Sequence, residues 1–114
     1  MKRIYDTPSN EDGARFLVDR LWPRGLSKDK AGLTAWLKTV SPSNALRKRL
    51  HGDAIGWDEF VSAYVAELQG EAAQEELETI RKAASKGRVT LLFASKQTER
   101  NNATVLRDYL MKQD

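Results

Sequence analysis

The chain has 114 residues, no cysteine, one histidine and a net charge of +3. That length suits one domain, 1–114, and a hydrophobic share of 40% builds a core without covalent staples. Disulfides, thiolate chemistry and a multi-histidine metal site are excluded, while a small positive excess allows an anionic partner without demanding nucleic acid.

The first residues, Met1-Lys2-Arg3-Ile4-Tyr5-Asp6, contain no apolar signal-peptide stretch. The longest apolar run, Val89 to Ala94, is too short to span a bilayer. We therefore expect a cytoplasmic protein with no membrane partner, and the lack of cysteine suits a reducing compartment.

Ile4-Tyr5 predicts a first short strand, and the polar stretch from Thr7 to Gly13 predicts a loop. Arg15 to Leu21 predicts a second strand. Alternation puts Val18, Arg20 and Trp22 on one face and Leu17, Asp19 and Leu21 on the other. Ser27 is placed to cap a helical turn running to Ala31. The spacing of Leu33, Trp36, Leu37 and Val40 fits either a helix or an irregular strand.

Ser41-Pro42-Ser43 predicts a helix start, with Ser41 as cap and Pro42 at the first helical position. Leu46 and Leu50 share a face of that helix, and Gly52 ends it. From Trp57 to Leu68, the apolar residues Trp57, Phe60, Val61, Tyr64, Val65 and Leu68 form one helical stripe, with Asp58 and Glu59 suiting its N-terminal dipole. A further helix runs from about Glu71 to Ser85, with Gly87 as its stop. Val89 to Ala94 reads as a central strand covered on both faces. A last helix begins at Glu99 or Asn102 and runs to Lys112. The sum is an α/β fold, a mainly parallel sheet flanked by helices in a three-layer sandwich.

The densest concentration of chemistry is Asp19-Arg20-Leu21-Trp22-Pro23-Arg24-Gly25. Arg20, Arg24 and Lys28 form a candidate anion clamp, because guanidinium forks match phosphate or carboxylate, and Trp22 offers a stacking face. The structural alternative has Arg20 paired with Asp19 or Asp6 and Trp22 in the core. Ser95 and Lys96 follow the central strand, where open α/β sheets bind ligands. Asn101 is a candidate partner for a sugar hydroxyl, although one of Asn101 and Asn102 is expected to cap the last helix.

His51 has no visible catalytic partner and reads as structural or solvent-facing rather than as a general base. Glu67 is expected to accept from an arginine of the first block in a structural ion pair. Arg47-Lys48-Arg49 is either a solvated helix face or a contact for a nucleic-acid backbone.

These residues resemble a known set. Asp19 to Gly25, Lys28, Trp36-Leu37-Lys38, Pro42-Ser43 and Leu46-Arg47 look like the YeaO-like proteins, domain-of-unknown-function family 488. The likeness continues through Trp57, Phe60, Tyr64, Glu67-Leu68, Val89 to Leu92, Ser95-Lys96 and Asn101, so it covers essentially the whole chain. It implies a small bacterial or archaeal α/β domain and brings no established activity, cofactor or catalytic set. The family pattern has an aspartate after the lysine that follows the last strand, and a histidine after the asparagine before the last helix. Gln97 and Asn102 stand at those places here, so this chain lacks the carboxylate and the imidazole of that pattern.

The leading expectation is a domain that binds a phosphorylated or nucleotide-like anion at the C-terminal end of its sheet. The alternatives are a nucleic-acid-associated accessory or regulatory protein, or a protein-interaction module.

Overall fold

The computed structural model describes residues 1–97 and 99–112. Four strands form one sheet: β1 (Lys2–Arg3), β2 (Ala14–Leu17), β3 (Ala35–Trp36) and β4 (Val89–Phe93). Their order across the sheet is β1-β4-β2-β3, and every pairing is parallel. The helices are α1 (Lys28–Ala31), α2 (Asn44–His51), α3 (Trp57–Leu68), α4 (Glu71–Lys86) and α5 (Asn102–Lys112), with a 3-10 turn at Asn10–Asp12.

β4 is the interior strand that its apolar run predicts. It pairs with β1 through Lys2↔Leu92 and with β2 through Ala14↔Val89 to Leu17↔Leu92. Gly13 lets β2 start this close to its neighbour. Its φ of 68° lies in the region that favours glycine, and a Cβ there would sit 2.1 Å from the Arg88 carbonyl oxygen.

The sheet is covered unequally. Phe16, Val18, Leu91 and Phe93 pack against helical residues such as Phe60, Tyr64, Leu77 and Leu106 in the larger core. On the other face Ile4, Leu17, Ala31 and Leu92 form a smaller cluster, with Trp22, Leu26 and Trp36 packed against it. The outcome is an α/β sandwich with one thick helical layer and one thin layer built from α1 and loops.

Several local expectations are corrected. The first strand is Lys2–Arg3, although Ile4 still donates its N–H to the Phe93 carbonyl at 2.7 Å. The second strand stops at Leu17, so alternation no longer governs the residues beyond Val18. Trp22 therefore joins the cluster containing Leu17 rather than the one containing Val18. The segment with two readings contains a strand, β3, held at the sheet edge by Phe16↔Ala35 and Leu17↔Trp36.

The cap of α2 is Ser43, not Ser41. The Ser41 hydroxyl is committed to the Leu37 carbonyl at 3.0 Å, while the Ser43 hydroxyl accepts from the Leu46 N–H at 3.2 Å. Glu67 completes this cap, accepting the Ser43 N–H at 2.8 Å and its hydroxyl at 2.6 Å. It is thus tied to a helix start and not to an arginine of the first block.

Candidate functional site

Parallel strands bring all their C-terminal ends to one edge of the sheet, and the loops leaving that edge are natural ligand sites. A cleft of about 750 Å³ lies there, within the range of small-molecule sites. Asp19 to Arg24 form one wall after β2, and Ala94 to Gln97 with Arg100 to Asn102 form another after β4. Pro42, Arg47, Leu50, His51, Trp57 and Phe60 close the side made by α2 and α3. Tyr5, beyond β1, completes the rim.

Six of the seven candidate residues meet at this cleft: Arg20, Trp22, Arg24, Ser95, Lys96 and Asn101. Lys28 does not. It is the exposed first residue of α1 and is outside the cleft lining.

Their surroundings differ. Trp22 donates its indole N–H to the Leu26 carbonyl at 2.7 Å and meets Trp36 edge-on, with ring centroids 5.2 Å apart. This half-buried ring is held as part of a wall. Arg24 is exposed, and its carbonyl accepts the Tyr5 hydroxyl at 3.0 Å. Lys96 is also exposed. The Ser95 hydroxyl accepts from the Gln97 N–H at 3.1 Å, which bends the loop after β4. Asn101 is buried and works as a cap: its side-chain oxygen accepts from the Thr104 N–H at 3.0 Å, and its amide donates to the Gln97 carbonyl at 2.7 Å.

Arg20 is only partly satisfied. One terminal N–H donates to the Ser41 carbonyl at 2.8 Å. Its Nε is buried and has no hydrogen-bond partner among the described residues. A buried donor without a partner costs about 1–3 kcal/mol, and such sites call for an explanation.

Four residues absent from the sequence-based candidate set, Asp19, Asn102, Trp57 and Phe60, shape the floor and far wall. Asp19 accepts from the Ala94 N–H at 2.7 Å and from the Asn102 amide at 3.0 Å. The Asn102 amide also donates to the Val18 carbonyl, tying α5 to the end of β2. Burial pushes the Asp19 carboxyl above the usual carboxylate range, while the Ala94 and Asn102 donors and the Arg47 charge pull it back. Trp57 stacks on Phe60 at 5.3 Å between centroids and 27° between planes, giving the cleft a flat apolar wall. The signal for Asp19 was its place within the charged block; nothing in the sequence spacing identifies Asn102 as its partner.

The charge balance is one-sided. Arg20, Arg24, Arg47, Lys96 and Arg100 line the cleft, against Asp19 as the sole lining carboxylate among the described residues. The ion pairs seen among the described residues are Lys2–Asp12, Arg15–Asp12, Arg81–Glu78 and Arg107–Asp108. None involves a cleft cation, so the cleft focuses positive potential between low-dielectric walls.

At the opposite end of the sheet a separate ionic cluster does structural work. Asp12 takes both Lys2 and the buried Arg15, and Arg15 also donates to the carbonyls of Ala31 and Gly32. The Ser9 N–H first, then Lys2 and Arg15, hold the Asp12 carboxyl below the usual range.

Fold and site together define a small all-parallel α/β protein with a cationic, aromatic-walled cleft at the carboxyl ends of its strands. The family model for the inactive DUF488-N3 subclade matches residues 1–113, and the chain belongs to that subclade of domain-of-unknown-function family 488. It is 46% identical over 111 residues to the uncharacterised protein YeaO of Escherichia coli K12, covering 96% of this chain and 93% of that one. It is 40% identical over 108 residues to uncharacterised proteins of Mycobacterium bovis and Mycobacterium tuberculosis H37Rv, covering 95% of this chain and 89% of each of theirs. No solved structure matches. Among the described residues, no helix is long and apolar enough to cross a membrane.

Proposed function

We propose that this chain, acting as one domain over 1–114, binds a phosphorylated or nucleotide-like anion in the cleft and does not turn it over. The observation that carries this reading is the set of five cations lining the cleft, Arg20, Arg24, Arg47, Lys96 and Arg100, none of which has an ion-pair partner among the described residues. An anionic oxygen gives these cations the partner that the protein does not, and charge-assisted hydrogen bonds are the strong ones. The stacked Trp57–Phe60 wall suits a flat apolar body attached to that anion.

Binding without turnover fits the residues present. Gln97 and Asn102 do not titrate near neutral pH, and Asp19 is held by two N–H donors. The description of the subclade as inactive supports the same reading. A cytoplasmic setting belongs with it, since a chain with no cysteine suits a reducing compartment.

A second reading, association with nucleic acid, rests on the exposed Lys48 and Arg49, which extend the positive side of α2 beyond Arg47. The two are separated by screening nucleotides and sugar phosphates against salt-dependent binding of random duplex. Hits in the small-molecule screen are then measured by calorimetry on Arg24→Ala and Lys96→Ala. Each substitution is expected to cost about 1.5–3 kcal/mol of binding, roughly ten- to a hundredfold. Unchanged affinity in both variants removes the anion site, and duplex binding alone, falling steeply with salt, moves the assignment to nucleic acid.

A further inference from the structure

A carboxylate in the wall of an anion-binding cleft is a liability unless it has a task. Asp19 lies in the same wall as Arg20 and Arg24, yet it forms no ion pair with a lysine or arginine among the described residues. Its charge locally opposes the attraction of the five lining cations for a bare anion.

The local hydrogen bonds explain why the residue is an aspartate and not an asparagine. Two donors, the Ala94 N–H and the Asn102 amide, approach its two separate oxygens, and an amide side chain would turn its NH₂ toward one of them. They do not exhaust the group. An ionised carboxylate has about four acceptor positions, and the protein fills one on each oxygen. Asp19 is half-buried and lines the cleft beside Arg20 and Arg24, so a ligand held by those cations lies next to a carboxylate with acceptor capacity to spare.

We propose that Asp19 is a specificity-determining residue: its fixed carboxylate selects ligands that present an N–H or O–H donor on the body carrying the anion, and penalises ligands that lack one. The inference rests on the anion-binding reading of the cleft and adds the second recognition element. Selection works from both sides, since the donor gains a hydrogen bond to a charged acceptor, while its absence leaves the carboxylate facing an anion uncompensated. A site built to accept a donor discriminates strongly against the analogue without it. Asp19 is only half-buried, so a factor of roughly ten to a hundred is expected rather than the larger values of closed sites.

The test uses four probes on the intact wild-type chain by calorimetry: inorganic phosphate, adenosine 5′-monophosphate, its 2′,3′-dideoxy form, which lacks both sugar hydroxyls, and purine riboside 5′-monophosphate, which lacks only the amino group. The expected result is that adenosine monophosphate binds at least tenfold more tightly than one of the two donor-deleted analogues, and more tightly than phosphate. In Asp19→Asn that preference should fall below twofold. A second readout needs no variant: the ¹³C shift of the Asp19 carboxyl moves with adenosine monophosphate and not with the disfavoured analogue. All three nucleotides binding within twofold of one another, or no more tightly than phosphate, overturns the role of Asp19 and leaves the anion site standing. No binding of any probe, phosphate included, overturns the anion site and the proposal with it.

Discussion

Replacing Asn102 with alanine removes the link between the start of α5 and the floor of the cleft. The amide donates to the Val18 carbonyl and to Asp19 Oδ1, so two hydrogen bonds are lost, one of them to a charged acceptor. A neutral bond contributes about 1 kcal/mol and one to a charged group about 1.5–3 kcal/mol. Asn102 is not fully buried, and water recovers part of the loss. A net destabilisation of about 2 kcal/mol is expected, equivalent to a midpoint roughly 8 °C lower for a chain of this length.

The loss depends on pH with a definite sign. Burial already raises the Asp19 carboxyl, and removing the Asn102 donor raises it further. A carboxyl raised in the folded state binds protons more tightly folded than unfolded, so acid relieves its cost. The gap between wild type and Asn102→Ala should be full at neutral pH and narrow as pH falls through the raised value of the variant. Urea unfolding at pH 7 and at pH 4.5 measures both. A gap below about 0.5 kcal/mol at pH 7, or one that widens in acid, refutes the coupling of Asn102 to an ionised Asp19.

Gly13→Ala should be severely destabilising, because its Cβ meets the Arg88 carbonyl at 2.1 Å at a φ of 68°; a melting midpoint within 2 °C of wild type, on the order of 0.5 kcal/mol, contradicts the packing of β2 on β4. Tyr64→Phe removes the buried hydroxyl that donates to the Val40 carbonyl and should cost about 1–2 kcal/mol in urea unfolding; a neutral or stabilising result removes that bond from the account. Asp12 has the opposite acid behaviour to Asp19. Its carboxyl is depressed in the folded state, so its stabilisation is in place above the unfolded value of about 3.9 and fades as pH falls through the folded one. Asp12→Asn should therefore flatten the acid-unfolding curve below about pH 4, and a curve as steep as wild type contradicts the ionic cluster.

The long elements were legible because their patterns are self-sufficient. The stripe from Trp57 to Leu68 predicts α3 at the bounds observed, and the run from Val89 identifies β4 as interior. The short elements were not. β3 is two residues long and exists because Phe16 and Leu17 offer it an edge, a tertiary cause with no local pattern. Likewise the sequence points to Ser41 as the cap because Pro42 follows it; Glu67, 24 positions from Ser43, holds Ser43 in that role instead. At the cleft, the block from Asp19 to Gly25 was legible as a concentration of charge at a strand end. The Asp19–Asn102 contact was not, since it joins residues 83 positions apart. The Asp12–Arg15 pair was missed for a different reason: Arg15 reads as the polar start of a strand, and only the fold shows that its guanidinium is buried.

The central claim is that the cleft at the carboxyl ends of the strands is where an anion binds. Titrating adenosine 5′-monophosphate into ¹⁵N-labelled protein, with backbone amide shifts followed residue by residue, tests it most directly. The account predicts saturable shifts at Asp19 to Trp22 and Arg24, at Ala94 to Gln97 and at Arg100 to Asn102, with Asp12 and Arg15 at the far end of the sheet unmoved. Shifts confined to Lys48 and Arg49 on the outer side of α2, or no saturable shift at any residue, would contradict it.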